Sequence, residues 1–98
     1  MSEPDLVGPV LEAGGAAAAV IAAIRELNPA AIIHDRGAYL RVAVPGRCVL
    51  RRDAVERLLG HPFRLPGDLE RIMPSCQGRI AISADEVVWA AESAEPAK

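Results

Sequence analysis

The clearest signal along the chain is a change of hydrophobic period. Over residues 16–27, Val20, Ile21, Ile24 and Leu27 recur at steps of one, three and three, which places them on one face of a helix. The alanines between them favour helix without adding bulk. Asn28-Pro29 ends it, because the residue before a proline avoids the helical region. Over residues 39–44 the period falls to two. Leu40, Val42 and Val44 point one way and Tyr39, Arg41 and Ala43 the other, as in a half-buried strand. Residues 31–34 form a short β-branched run, and Asp35-Arg36-Gly37 supplies the turn that pairs the two runs as a hairpin.

The flanks carry weaker but readable patterns. Residues 6–11 are apolar yet contain Gly8 and Pro9. Proline cannot donate to a ladder, so an edge or bulged strand is expected there, with Gly14-Gly15 breaking the chain after it. Pro45-Gly46 predicts a turn and residues 48–51 a further strand. Asp53 and Glu56 have the spacing of a capping box at the start of a second helix, whose apolar face is Val55, Leu58 and Leu59. Gly60 and Pro62 are its stop signals. Residues 66–73 predict a third, shorter helix with Leu69, Ile72 and Met73 inward. A closing hairpin follows: residues 78–83 with Ile80 and Ile82 inward, a turn at Ala84-Asp85-Glu86, and residues 87–90 carrying Trp89. The predicted order is β-α-β-β-β-α-(α)-β-β. Short strands joined by tight turns imply mostly antiparallel pairing packed with two or three helices, a small single α+β domain over residues 6–92. Residues 1–5 and 93–98 read as flexible tails.

Composition narrows the function. A chain of 98 residues has room for one domain, and 51% apolar content makes it a folded one. With only Tyr39, Phe63 and Trp89 aromatic, the core must be built from Val, Ile, Leu and Ala. The net charge is −2, Lys98 is the sole lysine and the arginines are scattered. That is the opposite of a nucleic-acid footprint. The longest apolar stretch, residues 16–24, is too short to span a bilayer, and no signal peptide is legible, so a cytoplasmic location away from membranes is expected. Cys48 and Cys76 do not make a disulfide framework and read as reduced, small core residues.

Catalytic chemistry is hard to find. There is no Glu-x-x-His and no Cys-x-x-Cys, and His34 and His61 lie on separate elements, so neither a metal nor a cofactor is expected. Gly14-Gly15 precedes a helix but lacks the rest of a phosphate loop. Cys76, in Pro-Ser-Cys-Gln-Gly, predicts a loop thiol, which would need an adjacent base or cation to react. Residues 35–39 fit either a solvated turn or a partner-binding edge, since Arg and Tyr are favoured interface anchors. The residues by themselves leave three readings open: a module acting by contact, a regulatory or ligand-binding module of another kind of complex, and a thiol enzyme at Cys76.

Four segments in sequence order bring a resemblance. They are Val7-Gly8-Pro9-Val10 ahead of the first helix, Asp35-Arg36-Gly37-Ala38-Tyr39-Leu40-Arg41-Val42, Leu59-Gly60-His61-Pro62-Phe63 after the second helix, and Gln77-Gly78-Arg79-Ile80 leading into the last hairpin. Together they make the chain resemble the effector, or coupling, proteins of soluble diiron multicomponent monooxygenases, a group that includes toluene, phenol, alkene and methane monooxygenases. The likeness is greatest to the toluene and alkene branch. The long N-terminal arm of the methane branch has no counterpart in this sequence, so no role of such an arm carries over.

The resemblance implies a cofactor-free, non-catalytic subunit. It would dock on the diiron hydroxylase, reshape its active site and couple NADH-derived electron transfer to O2-dependent hydroxylation or epoxidation of small hydrocarbons. The implied partners are that hydroxylase, a reductase and a Rieske ferredoxin. The expected docking residues sit on polar faces that the core does not need: His34, Arg36, Tyr39 and Arg41 on the first hairpin, and Ser75, Cys76 and Gln77 before the last one. Phe63 is expected to plug the core, as large apolar side chains usually do.

Overall fold

A computed structural model describes residues 5–91; residues 1–4 and 92–98, which include most of both expected tails and Glu92, lie outside the described residues. The elements follow the periods of the sequence. They are β1 (Leu6–Glu12), α1 (Gly15–Leu27), β2 (Ile32–Asp35), β3 (Tyr39–Pro45), β4 (Arg47–Arg51), α2 (Arg52–Leu59), α3 (Gly67–Ile72), β5 (Ser75–Gln77), β6 (Arg79–Ile82) and β7 (Glu86–Ala90). Two sheets result, β2-β3-β1-β5 and β4-β7-β6, and every strand pairing within them is antiparallel. The domain is α+β, as predicted, with β2 and β3 paired as a hairpin.

β1 departs from expectation. It is neither an edge strand nor a bulged one, but lies inside its sheet between β3 and β5. Its register against β3 runs Leu6↔Pro45 and Val7↔Val44, then resumes at Val10↔Arg41 with the same number of residues skipped on each side. Between those points Gly8 and Pro9 pair with Gln77 and Cys76 of β5 instead. Glycine is required at position 8. Its φ is +144°, and a Cβ there would sit 2.5 Å from the Val42 carbonyl oxygen. The same pairing makes 75–77 a strand, where a loop was predicted.

The second helix also starts differently. α2 begins at Arg52, Arg51 occupies the cap position, and no side chain caps it, so the expected Asp53–Glu56 box does not form. Glu56 is drawn elsewhere: its Oε2 accepts from the Phe63 amide at 2.9 Å and from Arg52 Nη1 at 3.2 Å. A tertiary use of that carboxylate has displaced the local one. Gly60 ends the helix at φ +82° and donates to the Glu56 carbonyl, as its sequence position implied.

One core lies between the sheets and under α1. β1 packs across onto β4 and β7, and α1 packs on β4 and α2. Leu11, Val20, Ile24, Val42, Leu50, Val55, Leu69 and Trp89 are fully buried, and Phe63 joins them. Ile80 and Ile82 pair with Trp89 and Val87, so they do share the core-facing side. β6 is the sheet edge, however, and the pair remains 38% and 37% exposed rather than buried. Cys48, opposite Trp89, is fully buried, and both cysteines are free. Desolvation pushes the Cys48 thiol up to about 12.

Asn28 does more than stop α1. It is buried, and its side-chain amide donates to the carbonyls of Ile24 (2.7 Å) and Val49 (2.8 Å) while accepting from Val49 N–H (3.1 Å). A side-chain amide thus takes the place of a neighbouring strand and seals the outer edge of β4. Among the described residues no helix is long and apolar enough to cross a membrane.

Candidate functional site

Residues directly opposed across antiparallel strands share a face of the sheet. In the four-stranded sheet, His34 opposes Arg41, Arg41 opposes Val10, and Val10 opposes Ser75. These four form a row across the sheet. Two residues along, Tyr39 opposes Glu12, and on the other side Gln77 opposes Gly8. All of these side chains lie on the face away from the core, because the alternate set, Val7, Leu11, Val42 and Val44, fills the core.

Five of the seven residues expected to dock are thereby brought together: His34, Tyr39, Arg41, Ser75 and Gln77 share one outward face. Arg36 sits at its end, exposed in the β2–β3 turn, where its N–H donates to the Tyr39 carbonyl at 2.8 Å. The turn is held by Asp35 Oδ1, which accepts from Gly37 N–H at 2.8 Å. Cys76 is the exception. Period-two alternation turns it to the opposite side, where it is half-buried and packs against the core. The sheet therefore stands between its thiol and His34, so His34 cannot serve as its activating base.

Two apolar positions missed by the sequence reading, Ile32 and Leu6, belong to the same face beside Tyr39. Ile32 and Tyr39 are 48% and 46% exposed, and Leu6 is 37% exposed. The signal was present, since Ile32 and Leu6 alternate in step with His34 and Val10, but only the register shows which side is out. Ala43 is buried on this face and Val10 half-buried, so the row is partly screened from solvent. Two polar atoms within it have no hydrogen-bond partner and almost no solvent contact: His34 Nδ1 and Arg41 Nε. Among the described residues Arg36 and Arg41 form no ion pair, whereas Arg51, Arg52 and Arg57 each do.

A second feature lies elsewhere. An open groove of about 700 Å³ runs beside α1, where Ala18, Ala19 and Ala22 lack bulk, against Leu59, Phe63 and Ile72. His61, Asp68 and Arg71 are its polar lining, and Asp68 is already engaged by the Arg64 amide at 2.7 Å. The alanines that read as helix formers are also what leaves this groove open. No group of three or more potential metal ligands occurs among the described residues.

The fold and its sequence have known counterparts. Over 89 residues the chain is 39% identical to the effector subunit of an alkene monooxygenase system from Xanthobacter autotrophicus, covering 89% of this chain and 87% of that protein. The regulatory-protein fold in a phenol hydroxylase–regulatory protein complex superposes with a TM-score of 0.78 at 22% identity, over 87% of this chain and 97% of that one. The regulatory protein B of soluble methane monooxygenase gives a TM-score of 0.69 at 23% identity, over 94% of this chain and 69% of that one. Residues 5–90 match the MmoB/DmpM family, and the chain belongs to it.

Proposed function

We propose that this chain is the non-catalytic effector subunit of a bacterial multicomponent diiron monooxygenase, acting in the cytoplasm. The observation that carries the reading is the 39% identity, across nearly the whole of both chains, to an alkene monooxygenase effector subunit. In this role the protein binds the hydroxylase and couples electrons from the reductase, through a Rieske ferredoxin where one is present, to oxygenation of a small hydrocarbon such as an alkene or an aromatic. The docking surface is the outward face of the four-stranded sheet, with Tyr39, Arg41, His34, Ser75 and Gln77 on it and Arg36 at its end. What supports that face is exposed Tyr39 and Ile32 beside an unpaired Arg41, since aromatic residues and arginine are enriched at interfaces.

The mechanism is linkage. An effector changes an enzyme only by binding one of its conformations better than another. A coupling free energy of about 1–3 kcal/mol shifts that balance roughly 5–150-fold. By reciprocity, ligands that favour the same hydroxylase conformation tighten effector binding. The direct test is steady-state turnover of the hydroxylase system with and without the purified protein. Addition should raise product formed per NADH consumed; an unchanged ratio at saturating protein removes the effector role.

A further inference from the structure

Four buried side-chain polar atoms among the described residues have no partner: His34 Nδ1, Arg41 Nε, Arg52 Nε and Trp89 Nε1. Buried polar groups are nearly always satisfied, so each one asks for an explanation. Arg52 already bonds Glu56 and Asp85 through its other nitrogens, and Trp89 is enclosed in the core, where nothing from outside reaches it. His34 and Arg41 differ. They stand directly opposite each other on adjacent strands, on the outward face, flanked by exposed Tyr39 and Ile32. Arg41 Nε always carries a hydrogen, and a histidine can carry one on Nδ1. The pair therefore places a permanent cation and an imidazole that can donate side by side on one face, with no ion-pair partner for Arg41 among the described residues. Glu12, the acid of the same face, lies opposite Tyr39 and forms no ion pair with Arg41.

Resting on the effector reading and its docking face, we infer that the His34–Arg41 pair is a carboxylate receptor, and that an Asp or Glu side chain of the hydroxylase completes it on docking. Unlike Trp89, both residues are only half-buried, so part of each side chain reaches the surface, and a turn of the covered Nδ1 and Nε outward on docking would let a partner's carboxylate meet them. Charge-assisted bonds in such a place are strong and directional. The pair would then set the register of docking, with Tyr39 and Ile32 supplying apolar area around it. The free protein leaves these donors unmet, so removing one should not destabilise it. That separates a receptor from a structural pair.

The test compares Arg41→Met, His34→Phe and Tyr39→Ala by thermal denaturation of the free protein and by titration onto the purified hydroxylase. Arg41→Met is expected to leave the melting temperature unchanged or raised while weakening hydroxylase binding at least about 30-fold, the usual consequence of stranding a buried partner charge. His34→Phe should weaken binding less. One hydroxylase Asp→Asn or Glu→Gln variant should lose affinity for the wild-type protein but not for Arg41→Met. If Arg41→Met melts earlier and binds as wild type, the pair is structural and the inference is overturned. If Tyr39→Ala weakens binding while Arg41→Met and His34→Phe do not, the docking face stands and the carboxylate receptor falls. If the wild-type protein does not bind the hydroxylase at all, the effector reading fails instead.

Discussion

The two sheets of this domain treat their polar groups in opposite ways. In the β4-β7-β6 sheet, the exposed edge of β4 is closed from within by Asn28, whose one amide group satisfies both backbone groups of Val49. The inner face carries the Cys48–Trp89 pair, both fully buried. In the β2-β3-β1-β5 sheet, the inner face is equally well packed by Val7, Leu11, Val42 and Val44. Its outer face is left unfinished, with Tyr39 and Ile32 half in solvent and two donors unmet. The β4-β7-β6 sheet keeps its own unmet donor, Trp89 Nε1, inside the core. On the proposed function, the β2-β3-β1-β5 sheet divides the tasks between its faces, so that docking residues could change without touching the core.

That contrast can be broken by substitution. The largest effect should come from Trp89→Ala, which removes the bulkiest core side chain and should cost about 3–5 kcal/mol in chemical denaturation. Against a typical stability of about 5–15 kcal/mol, this approaches global unfolding. A loss below about 1 kcal/mol would show that the second sheet is not the stabilising one. Next, Asn28→Ala strands Val49 N–H and its carbonyl, and should cost about 1–3 kcal/mol. Asn28→Asp should be at least as damaging, since a carboxylate can donate to neither carbonyl. If both variants unfold at the wild-type denaturant midpoint, the edge seal contributes nothing.

Tyr39→Ala tests the other sheet. It should change the stability of the free protein by less than about 0.5 kcal/mol. Its affinity for the hydroxylase should fall about tenfold, or ~1.4 kcal/mol. A clear loss of stability with unchanged affinity would reverse the assignment of tasks between the faces.

The smallest expected effect is a pH dependence. Burial holds the Cys48 thiol protonated up to about 12, whereas the unfolded thiol ionises near 9.0. Above that lower value the unfolded state binds fewer protons, so stability falls as pH rises; below it the contribution is fully present. Cys48→Ala should flatten part of this slope in denaturant midpoints taken from about pH 8 to about pH 10. An identical slope in the variant would assign it to other groups.

How much of this was legible beforehand differs by residue. α1 was read almost to its ends, because the spacing of Val20, Ile21, Ile24 and Leu27 and the stop at Asn28-Pro29 are local signals. The β2–β3 hairpin was read for the same reason, together with the turn chemistry of Asp35 and Gly37. The candidate face was half legible. His34, Arg36, Tyr39 and Arg41 were found on one hairpin, and Ser75 and Gln77 were named without any local reason to place them beside it. Cys76 was named with them, and β5 turns it inward.

The sequence by itself determined where every element except β5 forms, which glycines and prolines end them, and that the core would be mainly aliphatic. These follow from periodicity and backbone preference, which act within a few residues. Only the tertiary structure decided that β1 is central, that Glu56 serves Phe63 rather than its own helix cap, that Ile80 and Ile82 sit at an exposed edge, and that His34 and Arg41 face out together. Each of those outcomes depends on which distant segment supplies a hydrogen bond or covers a face. Such pairings are chosen by the whole set of competing contacts, and a residue's neighbours along the chain do not encode them.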